Sequence, residues 1–206
     1  MKTNNKKALA TALKVALLKK PLNRVSITDL TEDCGISRRT FYHYFKDIYE
    51  LVDWVCSLES AEALKKQEPF KTWEQGYIRI FHTVKEIRFF VMNIYRYVGR
   101  EQVERYLAPL IDNLLSKIIE EQSDGLDVTE ENKKYVAKLY SHVLIGVMIE
   151  WISENMEDVP EFIVRNLSKV IQVDARYALK RLAESNVQPS DLSDKNIFIQ
   201  INCFKN

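Results

Sequence analysis

At 206 residues and a net charge of +1, the chain is one large domain or two small ones, with 46% hydrophobic residues, ample for a core. Its five glycines (Gly35, Gly76, Gly99, Gly125 and Gly146) are too scattered to build a phosphate-cradling loop, which excludes P-loop and dinucleotide fingerprints. The near-neutral total hides an asymmetry. Residues 1–47 carry ten Lys/Arg against four Asp/Glu, a charge of +6, and the remainder carries twenty against twenty-five, a charge of −5. A basic head on an acidic body fits a polyanion-binding domain joined to something that does not bind DNA.

Few Gly and Pro among long amphipathic runs predict an all-α protein. No apolar run approaches the ~18 residues of a membrane helix, and the N-terminus lacks the pattern of a signal peptide. A cytoplasmic location and no membrane partner are expected. Cys34, Cys56 and Cys203 have no metal-type spacing and are odd in number, so they read as reduced thiols.

In chain order, residues 2–7 read as a polar, basic arm. Leu9, Leu13, Ala16 and Leu17 then recur at helical spacing, predicting an amphipathic helix over 5–19 that Pro21 ends. Ser26 followed by Asp29 resembles a capping box, an oxygen for orphan N–H groups and an acid near the positive helix end. Ile27, Leu30 and Cys34 line one side of the short helix that follows. Gly35 sits where a helix stop wants a positive φ, and Ile36 is an apolar plug after it. Ser37 caps a second short helix. Phe41 and Phe45, at i and i+4, share its inward face, which leaves Arg38, Arg39, Tyr42 and His43 outward. Two short helices joined at a glycine, the second showing arginines, predict a helix-turn-helix whose second helix lies in a DNA major groove.

The run Gly35-Ile36-Ser37-Arg38-Arg39-Thr40-Phe41-Tyr42-His43-Tyr44-Phe45 resembles the signature of the TetR family of bacterial transcription regulators. That pattern is a Gly, an apolar residue, a Ser, a variable pair, then Thr-Phe-Tyr-x-Tyr-Phe. The match covers about residues 8 to 56; beyond it the chain resembles the family only in length and helical character. Tyr49-Glu50-Leu51-Val52-Asp53-Trp54 is also similar to regulators of the dihydroxyacetone kinase operon. One departure stands out: the family usually has a phosphate-facing Lys where this chain has Ile48, which shifts backbone binding towards Lys46 or Tyr42.

Asp47 caps the next helix, predicted over 48–67, with Leu51, Val55, Leu58 and Glu62 on one face, Trp54 and Cys56 off it, and Pro69 as its end. This helix leaves the head for the body and is the natural lever between them. Thr72 opens a helix to about 86. Residues 87–98 are dense in aromatics, and Gly99 breaks the pattern. Residues 101–122 read as helical, with Pro109 expected to kink the helix or restart it. Asp124-Gly125 is a turn, and Thr129 caps a long helix to about 155. Val136, Leu139, Val143, Val147 and Trp151 mark one stripe of that helix; Leu144, Met148 and Ile152 mark another. A helix apolar on two faces must be buried on both. Pro160 begins one last helix, to about 184. The resulting division is a DNA-binding domain over 1–47, an effector-binding and dimerisation domain over 48–184, and a tail over 185–206, expected to be disordered.

Within the motif, Arg38, Arg39 and His43 are candidates for DNA contact, and arginine can pair with guanine O6 and N7. Thr28, Thr40, Tyr42, Tyr44 and Lys46 reach phosphate, which positions without specifying, and Ser37 completes the candidate DNA-binding set. Lys2, Lys6 and Lys7 touch backbone or minor groove, or stay disordered. Aromatic residues at helical spacing are ordinarily core. The resemblance adds a small-molecule pocket inside the body, for which Trp54, Tyr77, Phe81, Tyr95 and Tyr106 are candidates. Val143, Gly146, Val147, Trp151, Ile163, Leu167 and Val170 are the candidate dimer interface. His82 and His142 accompany no catalytic triad order or zinc-protease run, so no catalytic residue, metal ligand or cofactor is assigned. The resemblance implies a homodimer on a palindromic double-stranded operator, with a small-molecule effector. Control by a protein partner with no small ligand stays open, as do a helical enzyme or carrier and the choice between repression and activation.

Overall fold

The computed structural model describes residues 2–66, 70–170 and 175–184; for residues 2–4 and 170 it describes the backbone alone. Among the described residues it has ten α-helices, one 3-10 turn (Leu22–Arg24) and no strand. The helices are α1 Lys2–Lys19, α2 Ile27–Asp33, α3 Arg38–Tyr44, α4 Ile48–Lys65, α5 Trp73–Glu86, α6 Arg88–Tyr97, α7 Arg100–Ser123, α8 Glu130–Ser153, α9 Pro160–Val170 and α10 Ala175–Glu184.

Side-chain caps set the starts of the helices. Ser26, Ser37, Asp47, Thr72 and Thr129 each accept a hydrogen bond from the backbone N–H three residues on, satisfying donors with no partner inside the helix. At the end of α2 the chain closes in a Schellman arrangement. Gly35 stands at φ +63°, its N–H bonds to the Glu32 carbonyl at 3.0 Å, and the Ile36 N–H reaches back to Thr31 at 3.0 Å.

Leu9, Leu13 and Leu17 of α1 cover Leu30, Phe41 and Phe45 to form the core of the head. The same apolar cluster runs without a break through Leu51 and Val55 of α4 into Tyr77, Phe81, Leu107 and Leu110 of the body. Helix α7 is the body's centre, packed by α4, α5, α6, α8 and α10. A second small core, Ile119, Val136, Ala175 and Leu179, joins α7, α8 and α10.

Several expectations are corrected. The basic arm is not a separate strand of chain, because α1 already begins at Lys2. On α4, Cys56 faces inward with Val52 and Ser60, and Glu62 faces out. Burial pushes the Cys56 thiol up to about 12, so it stays protonated. Pro109 does not divide α7. It sits on the exposed side, and the Arg105 carbonyl it leaves without a helical partner belongs to a residue open to water. Of the expected last helix the structure describes two parts, α9, which packs on α5, and α10, which packs on α7 and α8; residues 171–174 between them lie outside the described residues. The tail over 185–206, and Pro69, lie outside the described residues.

Helix α8 also amends the sequence reading, because by length and composition it is apolar enough to cross a membrane. Its inner face, with Leu144, Met148 and Ile152, is buried on the body, whereas Leu139 and Val143 are exposed.

Candidate functional site

The head presents α3 by anchoring it from beneath. Phe41 is fully buried, and Phe45, just past the helix end, is nearly so. The Ser37 hydroxyl accepts from Thr40 N at 3.1 Å and meets the Thr40 hydroxyl at 2.9 Å, so both are engaged in the cap. Arg38, Arg39, Tyr42 and His43 are exposed on the outer face, with Arg38 Nη2 at 3.4 Å from the Tyr42 hydroxyl. Thr28, at the start of α2, and Lys46, beyond α3, are exposed as well. Tyr44 is half-buried, its ring edge-on to His43. The predicted DNA-facing residues are thus grouped around α3 and the start of α2.

Helix α2 is held by a full capping box. Asp29 Oδ2 accepts from Ser26 N at 2.8 Å and from Lys20 Nζ at 2.6 Å. The Lys20 ammonium first, then the Ser26 N–H, hold the Asp29 carboxyl down at about 2. The start of α4 supplies its own anion: Glu50 accepts from Lys46 N, and Asp47 accepts from Glu50 N at 2.9 Å. That carboxylate pair occupies the helix end where the resemblance leads one to expect a phosphate-facing lysine.

Lys6 has a use not foreseen in the sequence. Its ammonium lies 5.9, 5.2 and 5.7 Å from the ring centres of Tyr44, Phe45 and Trp54, within cation–π range of all three. The contact clamps the start of α1 to the end of α3 and the first turns of α4. Trp54 therefore belongs to the head, with its ring centre 5.8 Å from that of Phe45, and not to a body pocket.

The other aromatic candidates separate too. Tyr77 is fully buried and donates its hydroxyl to the Leu144 carbonyl. Phe81 lies edge-on between Tyr77 and Trp151, with ring centres 4.8 Å away on each side, inside closed core. Tyr95 is half-buried against the same core. Tyr106 lines an open cavity of about 370 Å³ between α4, α5 and α7. Its phenol is buried and has no hydrogen-bond partner. Burial holds that phenol well above the ordinary tyrosine range, so it is a neutral donor.

Around it stand Glu59 and Glu62 from α4, Lys66 just past its end, and Arg79, His82 and Glu86 from α5. Glu59 is paired with Lys14 of the head at 2.7 Å, and His82 Nε2 meets Glu161 of α9 at 3.0 Å. In the sequence, Glu62 falls on the face of Leu51, Val55 and Leu58, His82 has no catalytic or metal role, and none of the others is singled out. Their spacing, 59-62-66 on one helix and 79-82-86 on the next, places each trio along one helix edge, which is the signal that was available.

The dimer candidates are divided by burial. Val143 is exposed; Val147, Ile163 and Leu167 are half-buried against the core; the Val170 side chain lies outside the described residues. Gly146 has no atom within 4 Å of where a Cβ would stand, so within the protomer it serves no close helix approach. Trp151 is corrected: it is 2% exposed, and its indole N–H donates to the Asp158 carbonyl at 2.9 Å, so it is occupied inside its own subunit. Phe162 and Val159, which the reading passed over, are each 59% exposed.

Residues 8–55 match the family described as bacterial regulatory proteins, tetR family, and residues 71–173 match a transcriptional regulator C-terminal region of the same kind. The chain is 23% identical over 148 residues to the HTH-type dhaKLM operon transcriptional activator DhaS of Lactococcus lactis subsp. lactis (strain IL1403), a span of 71% of this chain and 78% of the relative. Among solved structures, the dihydroxyacetone kinase operon activator DhaS is similar in fold, with a TM-score of 0.62 at 19% identity over 84% of this chain and 97% of that one.

Proposed function

The chain belongs to the TetR family of transcriptional regulators, and from that premise we propose that it binds a palindromic operator as a homodimer and that a small polar effector in the Tyr106 cavity tunes the binding. Regulators of this family bind DNA, generally as dimers, and are not enzymes. Arg38 and Arg39 read base edges, and Tyr42, Lys46 and Thr28 hold phosphates. The observation that carries the effector reading is Tyr106, which lines a cavity of small-molecule size and whose buried phenol has no hydrogen-bond partner. The cavity touches α4, whose other end packs against the recognition helix, so a ligand that prefers one tilt of α4 shifts operator affinity.

Selection of bound sequences from random DNA identifies the operator. The relative's operon, that of dihydroxyacetone kinase, is the first candidate target promoter, and a reporter fusion reads the sign of control. A compound that raises the melting temperature is then titrated with and without operator. Linkage requires operator DNA to change effector affinity by the factor by which effector changes operator affinity. Superimposed curves for every binding compound sink the effector reading and favour control by a protein partner.

A further inference from the structure

A second cleft, of about 310 Å³, lies at the joint of head and body, between the end of α1 with Pro21 and the outer side of α6. Its charged lining is entirely basic: Lys19, Lys20, Arg88 and Arg96, with no carboxylate. Lys20 is neutralised by Asp29. Among the described residues, Lys19, Arg88 and Arg96 have no acidic partner within ion-pair distance.

The two arginines are nevertheless held in place. Arg88 donates through Nε and Nη2 to the Asn155 carbonyl at 3.4 and 3.1 Å, and Arg96 Nη2 donates to Asn155 Oδ1 at 2.6 Å. Asn155 and Met156 adopt left-handed backbone at φ +62° and +58° just past the end of α8, and this turn brings the Asn155 oxygens to α6. A carbonyl and an amide oxygen are neutral acceptors. They orient the guanidinium groups and leave their charge uncompensated, which is how a site for an external anion is pre-organised. The same cleft is lined by Phe89 and Tyr97, 55% and 39% exposed, which offer ring surface beside the cations.

We propose that this cleft binds a small organic anion, a phosphate or carboxylate joined to a planar apolar group. The site is separate from the Tyr106 cavity and does not rest on the effector reading. The joint is already bonded, the Leu22 N–H donating to Asn93 Oδ1 at 3.0 Å. A ligand here touches head and body together, and any preference for one head orientation reaches the operator.

The test titrates the full chain with inorganic phosphate and with phenyl phosphate by calorimetry. Saturable binding is expected, tighter for phenyl phosphate. Lys19→Gln and Arg96→Gln should each weaken it about tenfold, the loss of one charge-assisted hydrogen bond. Lys169→Gln on α9, which removes one positive charge elsewhere, should leave it unchanged. Lys19 is exposed, so its variant keeps the measurement meaningful if Arg96→Gln disturbs the fold. No saturable binding by the wild type, or equal binding by the Lys19 and Arg96 variants, overturns the proposal. Operator affinity is then measured at rising phenyl phosphate. A plateau supports a separate site; a decline without limit is direct competition, assigns the cations to the DNA backbone and also overturns it.

Discussion

At the scale of single residues, the exposed side chains of α3 carry different kinds of information. Arg38→Ala or Arg39→Ala should cost about 1–3 kcal/mol on the operator and relax preference at one or two base pairs, whereas Lys46→Ala should weaken all duplexes alike and lower the salt slope by about 1. Binding selections and salt titrations separate the two. Tyr106→Phe removes a buried hydroxyl that has no partner, so the free protein should lose no stability and gain up to about 1 kcal/mol by denaturant unfolding. The same variant should bind effector more weakly. A large loss of stability would mean that the phenol has a structural partner. Asp29 supplies a pH prediction. Its carboxyl is lowered to about 2, below the ordinary value of about 3.9, so its contribution to the head is complete above the ordinary value and is lost as pH falls through about 2. Asp29→Asn should flatten acid unfolding of the head in that window, read by circular dichroism.

At the scale of elements, α5 and α7 approach closely at Gly76. A Cβ at Gly76 would stand 2.5 Å from Leu114 Cδ1 and 3.2 Å from the Phe70 ring. Gly76→Ala should therefore cost about 1–3 kcal/mol through overpacking. Calorimetric melting would show a Tm lower by a few degrees. An unchanged Tm would mean that Leu114 and Phe70 yield freely. Helix α4 works through its two ends: its first turns share the aromatic cluster under Lys6, and its last turns line the Tyr106 cavity. The Lys14–Glu59 pair, part-buried at 2.7 Å, ties α4 to α1 along the way.

At the scale of the molecule, the proposed dimer follows from what α8 leaves uncovered. Leu139 and Val143, one turn apart, stay exposed on a helix whose opposite side is core, and Phe162 is exposed on α9, the next helix in the chain. Leu139→Glu with Val143→Glu should yield a folded monomer by ultracentrifugation, with operator binding reduced to that of one half-site. Two recognition helices bind together when they sit about one DNA turn, ~34–36 Å, apart. Trp151→Glu is not a test of the interface, because that ring is internal and its loss would unfold the subunit. A wild-type chain that sediments as a monomer at micromolar concentration would defeat the dimer.

Local chemistry was legible in the residues themselves. The Ser26–Asp29 box, the Gly35 turn, the Ser37, Asp47, Thr72 and Thr129 caps and the inward Phe41 and Phe45 depend on neighbours a few positions away, and the structure has each of them. The helix-turn-helix and the family followed from that short range. What tertiary structure decided was which apolar or charged face meets which. Trp54 and Tyr77 have similar chemistry, yet one packs over the recognition helix and the other in the centre of the body. Periodicity states that a face is buried and not what buries it. The same limit put Trp151 on an expected interface and hid the cavity edges of α4 and α5 among ordinary surface charges. It also hid the Lys6 clamp and the basic cleft at the joint, because their members lie tens of residues apart in the chain: those of the clamp meet only when the head folds, and those of the cleft only when head and body pack together.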